Sequence, residues 1–212
     1  YKRQIDIASS QTLSAGSSGN TSFSGAMSGS GNFTKLGSGT LTLSGTNTNT
    51  GTTNINAGKI TVTGTLSNSA LVNVGTNGVY DVDQTDEIGS VFGAGNIEIA
   101  NTKTLTAGGA DGSSTNRTLA GVISGSGGFT KKGEGTYNLT GDSTFTGALT
   151  VANGSLNLAS GSSLDTTTIN VNGDGRLLLN SAAALSTSAD ISLSTASRLY
   201  VNCLLYTSPS PR

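Results

Sequence analysis

Apolar and polar residues alternate in short bursts along the whole chain. "TLTLSG", "KITVTG" and "VYDVD" place Leu43, Val62 and Val82 at equivalent points, 19 and 20 residues apart. A second series joins Ile55 to Val74, and further on Leu139, Leu158 and Leu179 recur at intervals of 19 and 21. Period-two alternation over about five residues, closed by Gly, Asn or Ser, predicts half-buried strands. A repeat of about twenty residues fits one rung of a parallel β-helix, with Leu, Ile and Val inward, Thr and Asn outward, and rungs about 4.8 Å apart. A single rung cannot bury its own apolar face, so neighbouring rungs supply the stability. The length suits roughly ten rungs of about twenty residues, an all-β solenoid on the order of 50 Å long.

A longer repeat contains the shorter one. Residues 17–64 align without a gap on residues 113–160, an offset of 96. With a one-residue shift, "VNVGTNGVYDV" (72–82) continues onto "INVNGDGRLLL" (169–179), and upstream "IDIASSQTLSAG" (5–16) matches "IEIANTKTLTAG" (97–108). A third copy begins at "ISLSTASRLYV" (191–201). The chain reads as a module over 5–96, a second over 97–190 and the start of a third over 191–202, cut from a longer array. Its stacking partners would then be its own flanking repeats. Uncapped ends of such a slice expose strand edges and core, so residues 5–202 alone are expected to self-associate.

The core of each module is "GSGNFTKLGSGTLTLSGTNTNTGTTNINAGKITV" (29–62) and "GSGGFTKKGEGTYNLTGDSTFTGALTVANGSLNL" (125–158). The first copy places Gly29, Gly31, Phe33, Thr34, Lys35, Gly37, Gly39, Leu43, Gly45, Gly51 and Gly58 where the second has Gly125, Gly127, Phe129, Thr130, Lys131, Gly133, Gly135, Leu139, Gly141, Gly147 and Gly154. This pattern, with its lead-ins "FSGAMSGSG" and "LAGVISGSG", resembles the autotransporter-associated β-strand repeat. The resemblance implies a passenger region of a bacterial type V autotransporter or similar surface protein, folded as a right-handed parallel β-helix. It implies export through the periplasm, passage across the outer membrane by a C-terminal β-barrel, and display at the cell surface. It also implies a stalk that carries no catalytic residues or cofactor of its own and that contacts host or biofilm surfaces. Read from the residues alone, the glycines serve tight corners, where positive φ is common. Lys35 and Lys131 read as exposed strand-end charges that discourage edge pairing.

Composition narrows the chemistry. Charged residues make up 11% of the chain, and its formal net charge is −1, so disorder driven by charge is excluded. No basic run favours a phosphate backbone, and no apolar stretch is long enough to span a membrane as a helix. The chain has no His, and no Cys before residue 203, which removes imidazole-based triads and core thiol chemistry. The acidic stretch "YDVDQTDEIG" offers Asp81, Asp83, Asp86 and Glu87 as candidates for a Ca²⁺ site or for paired carboxylates acting on a glycan. The second copy has Leu178 and Asn180 where the first has Asp81 and Asp83, which favours a solvated turn. "NVNGDGRLLLNS" (170–181) starts like a calcium loop but puts Ser181 where a bidentate Glu is required. "GGADGSS" (108–114) lacks the nonapeptide recurrence of calcium-binding repeats and reads as a loop.

Two other functions remain open at this level: a polysaccharide-degrading enzyme on a β-helix, and a tandem immunoglobulin-like adhesin, since 96 residues also suits a sandwich. The 19 to 21 residue sub-period weighs against the sandwich. The termini stand apart. "CLLYTSPSPR" (203–212) holds the only Cys and both Pro. It can be written TGTCTCTTATACACATCTCCGAGCCCACGA, which resembles a transposase-adapter sequence used in DNA library preparation. "YKRQ" (1–4) can be written TATAAGAGACAG, whose reverse complement carries the same bases. Residues 1–4 and 203–212 are therefore set aside from fold reasoning, and Cys203 with them.

Overall fold

The computed structural model describes residues 3–108, 114–180 and 183–202. The adapter-like ending and most of the "GGADGSS" loop lie outside the described residues. The described residues form 24 strands, numbered in chain order, and no helix. Every pairing between them is parallel. Antiparallel sandwiches are thereby ruled out, and the chain is a β-solenoid of three faces.

The first face is one continuous stack of ten strands. It runs β2 (Thr12–Ala15), β5 (Asn32–Lys35), the front halves of β7 (Thr52–Val62) and β8 (Leu71–Val82), β10 (Ser90–Gly93), β13 (Arg117–Leu119), β16 (Thr136–Leu139), β18 (Ser155–Leu158), β21 (Arg176–Leu179) and β24 (Arg198–Val201). The second face stacks β3 (Thr21–Phe23), β6 (Thr40–Leu43), the rear halves of β7 and β8, β11 (Asn96–Ile99) and β14 (Ile123–Gly125). It continues through Ser143, which bridges to Leu164, into β19 (Ser163–Leu164) and β22 (Ala184–Leu185). The third face begins with β1 (Gln4–Ile7) and β4 (Ala26–Gly29), passes through irregular rungs at Thr46 and Thr65, and resumes at β9 (Asp86–Ile88). It ends in β12 (Thr104–Ala107), β15 (Gly128–Lys131), β17 (Leu149–Val151), β20 (Thr168–Val171) and β23 (Asp190–Leu193). Ten rungs at the parallel-strand spacing make a prism about 43 Å long between its first and last strands.

Alternation along each strand fills the lumen. Leu43, Val62 and Val82 are register partners on the second face, and Ile99 continues the column. Leu139, Leu158 and Leu179 form an equivalent column on the first face. All of these are buried, and they join one cluster running most of the length of the rod. Corners are narrow, so successive rungs touch there by backbone. A Cβ on Gly51 would stand 2.1 Å from the carbonyl oxygen of Gly31, and one on Gly147 stands in the same relation, 2.2 Å, to Gly127. These glycines permit close approach of rungs, and their φ values are not positive. Left-handed geometry is required at others of the motif, including Gly37 (φ 71°) and Gly133 (φ 73°). Positive φ accounts for only part of the glycine pattern.

The two modules do not sit in the same orientation. Register pairing carries Lys35 through Ile55, Val74, Gly93 and Leu119 to Leu139, which is the counterpart of Leu43. Lys131 lies on the third face between Ala107 and Val151. Equivalent strands such as β5 and β15 are thus separated by four rungs and two further faces. The second copy is turned by one face relative to the first.

Strand pairing at the start of the chain includes Gln4, which lies opposite Ala26. Backbone pairing needs no particular side chain, so Gln4 can join the ladder. At this first rung Ile5, Leu13 and Phe23 are only partly buried and border an apolar cavity of about 110 Å³ with Met27 and Phe33. At the other end Leu193, Tyr200 and Val201 are exposed.

Candidate functional site

Lys35 and Lys131 are the most unusual side chains of the repeat. Strand alternation places Lys35 on the same side of β5 as Phe33, and Lys131 on the same side of β15 as Phe129. Both lysines are 1% exposed. The expectation of exposed strand-end charges is overturned. The lysine stem spans the lumen edge, and its ammonium ends among backbone carbonyls at the corner. Lys35 Nζ donates to the carbonyls of Leu36 (2.7 Å), Gly37 (2.7 Å) and Ala57 (3.1 Å). Lys131 Nζ donates to those of Lys132 (2.6 Å), Gly133 (2.6 Å) and Asn153 (3.1 Å). For Lys35 three donors meet three acceptors, which fits an ammonium group well. The first two acceptors lie in the lysine's own turn and the third lies in the next rung, so each lysine clips two rungs together. Left-handed Gly37 and Gly133 turn their carbonyls inward to receive it. Burial holds the Lys35 pKa below that of free lysine.

The acidic stretch is dispersed by the fold. Asp81 projects outward from β8, where its carboxylate accepts from Thr61 Oγ1 (2.9 Å) and lies 3.6 Å from Lys59 Nζ. Lys59 also pairs with Glu98 on the following rung, chiefly through a hydrogen bond that raises the lysine pKa. Partial burial raises the Asp81 pKa, against the opposing pull of Thr61 and Lys59. Asp83 is exposed at the corner. Asp86 turns inward and is 7% exposed, accepting from the backbone N–H groups of Leu66 (2.8 Å) and Glu87 (3.1 Å). Burial pushes its pKa up to about 6 against those two hydrogen bonds. Glu87 faces outward on the third face and pairs with Lys132 at 3.0 Å. Asp83 lies in an exposed corner, Asp81 and Glu87 project from strands, and the Asp86 carboxylate caps a neighbouring rung inside the corner. Among the described residues, no three His, Cys, Asp or Glu side chains converge to hold a metal ion.

Sequence reading missed one further polar element. Tyr137 stands where the first module has Leu41 and points into the lumen. Its hydroxyl meets Ser90 Oγ at 2.6 Å and accepts from Val91 N–H at 2.9 Å. Only Gly93 of β10 pairs with β13, so the tyrosine reaches across that rung to occupy a position the ladder leaves open. The Leu41 to Tyr137 difference between copies was the available signal.

These features define a parallel β-solenoid assembled from a tandem module whose recurring chemistry is internal to the corners. The family model of the passenger-associated-transport-repeat matches residues 33–62 and 129–158. Each match runs from the lysine-bearing strand, β5 or β15, to the inward apolar residue that closes the next rung's strand, Val62 or Leu158. No curated protein and no solved structure matches the chain.

Proposed function

We propose that the chain is a non-catalytic spacer segment of a secreted or surface-displayed autotransporter-like protein, stacked axially on flanking repeats of the same kind. The observation that carries this reading is the lysine clip. The most distinctive chemistry of the repeat is spent on joining one rung to the next, and its ammonium is buried away from any ligand. A polysaccharide-degrading enzyme would instead need carboxylates gathered on one surface. Asp81, Asp83, Asp86 and Glu87 point in different directions, and Asp81 and Glu98 are engaged by Lys59.

A display assay tests the proposal. Fused between an export signal and an outer-membrane barrel, with an epitope at its far end, the chain should be labelled by antibody on intact cells. The epitope should stand on the order of 40 Å further from the membrane than with the barrel alone. An epitope reached only after permeabilisation would sink the display reading. Turnover of polygalacturonate by the purified chain would favour the enzyme instead.

A further inference from the structure

We propose that the first face, from β10 to β24, binds a linear acidic polysaccharide lying along the rod axis. One outward row on this face runs Phe92, Thr118, Asn138, Asn157, Leu178 and Tyr200, through successive rungs. Aromatic rings stand at its two ends, and Tyr200 is 48% exposed. Arg117 lies over the Phe92 ring with its guanidinium carbon 4.7 Å from the centroid. Between the aromatic ends the row holds Thr118, the amides Asn138 and Asn157, and Leu178. Asn157 donates to Asn138 at 2.8 Å and Asn180 donates to Asn157 at 2.6 Å, which fixes the orientation of these groups.

The adjoining row carries the charge. Arg176 and Arg198 are register partners on adjacent strands, both exposed, about 4.8 Å apart along the axis. Like charges directly opposite each other on a sheet are destabilising. None of the ion pairs among the described residues relieves them. No Asp or Glu occurs on the six strands of this stretch, although the chain as a whole is slightly acidic. Glu134 and Asp174 stand at the neighbouring corner and border the patch on one side.

An acidic glycan satisfies these groups together. An extended sugar chain advances by about one rung spacing per ring, so successive carboxylates or sulfates can meet successive guanidinium forks bidentately. Sugar faces stack on the exposed ring of Tyr200, and sugar hydroxyls match the amides of Asn138 and Asn157. Outward side chains keep this arrangement whatever rungs stack on the ends. The proposal is independent of the spacer reading, because failure of surface display would leave binding by the purified chain unaffected.

The test is titration of the whole chain with polygalacturonate, which carries carboxylates, and with heparin, which carries sulfates, against neutral dextran and oligo-dT. Saturable binding of at least one acidic glycan, weakened by added salt and absent for dextran, is expected. Arg176→Gln with Arg198→Gln should weaken it more than tenfold, and Tyr200→Ser several-fold. Lys103→Gln, elsewhere on the surface, should leave it unchanged. Because all these side chains face solvent, a matching thermal melt identifies a folded variant, and Arg176→Lys with Arg198→Lys should bind between wild type and the Gln pair. Absence of binding to both acidic glycans, indifference to the Arg substitutions, or equal competition by oligo-dT would each overturn the assignment.

Discussion

The ammonium of Lys35 reaches the carbonyl oxygen of Ala57, 22 residues further along the chain, at 3.1 Å. Lys131 makes the same contact with Asn153 at the same separation and distance, on another face of the prism. Two independent copies of one geometry, in different surroundings, mark the clip as a property of the module.

Truncating the clip should be costly. Lys35→Met keeps the stem but leaves three carbonyls facing an apolar terminus. Loss of hydrogen bonds to a charged donor is expected to destabilise by roughly 1.5–3 kcal/mol. Lys131→Met should cost a similar amount, and the double variant should be close to additive because the two sites share no partner. Urea unfolding measures the totals. Hydrogen exchange should show the loss at residues 36–39 and 57–58 for the first variant; unchanged protection there would refute the clip.

Asp86 sets a pH dependence. Its folded-state pKa, about 6, lies above the ordinary carboxylate value of 3.8, so the folded chain holds this proton more tightly than the unfolded one. The group's contribution to stability therefore falls as pH rises from about 4 through about 6. Asp86→Asn keeps an acceptor for Leu66 N–H and removes the charge. Its melting temperature should match wild type near pH 4 and exceed it increasingly toward pH 7. A difference that stays flat across that range would contradict the burial of this carboxylate.

Glycines at the corners should differ in tolerance for a stated reason. Gly58 has φ 68°, and a Cβ there would lie 2.5 Å from the carbonyl oxygens of Gly37 and Gly39. Gly161 has φ 80°, but a Cβ there would meet nothing within 4 Å. Gly161→Ala should cost about 1–2 kcal/mol from conformation alone. Gly58→Ala should cost clearly more, since backbone must move as well. Equal losses in chemical denaturation would mean that rung contact at this corner is unimportant.

Thr53 offers a stabilising change. Its hydroxyl is buried without a hydrogen-bond partner, on an inward position where the second module has Leu149. Thr53→Val preserves shape and removes the unsatisfied group. A gain of about 1 kcal/mol is expected in urea unfolding. A loss of stability would mean that the hydroxyl is paired in solution.

Much of the architecture could be read from residue order, because inward columns need identical parity. Leu43, Val62 and Val82 are spaced by rungs in sequence and are register partners in space. The lysines were misjudged because Lys is rarely buried without a partner. Here the partners are carbonyls, which any sequence supplies and none advertises. The parity of Phe33 and Lys35 in "NFTK" was the clue, since both must face the same way. The acidic stretch was read as one unit because its members are adjacent in sequence, whereas strand alternation and a corner send them apart. The turn of one face between modules was hidden as well. An interval of 96 residues is close to five rungs of 19, and only the lengths of individual corners show that it is fewer.

That offset decides how a longer rod would meet its surroundings. Any further module laid down at the same spacing would turn by another face, and three modules would bring the motif back to its starting side. The equivalent sites would then climb the rod as a spiral staircase. A rod lying on a flat surface would press the same module face against it only once in every three modules. Contacts that need many equivalent copies in line could not form, and a long passenger built this way would present no single adhesive side to a neighbouring rod.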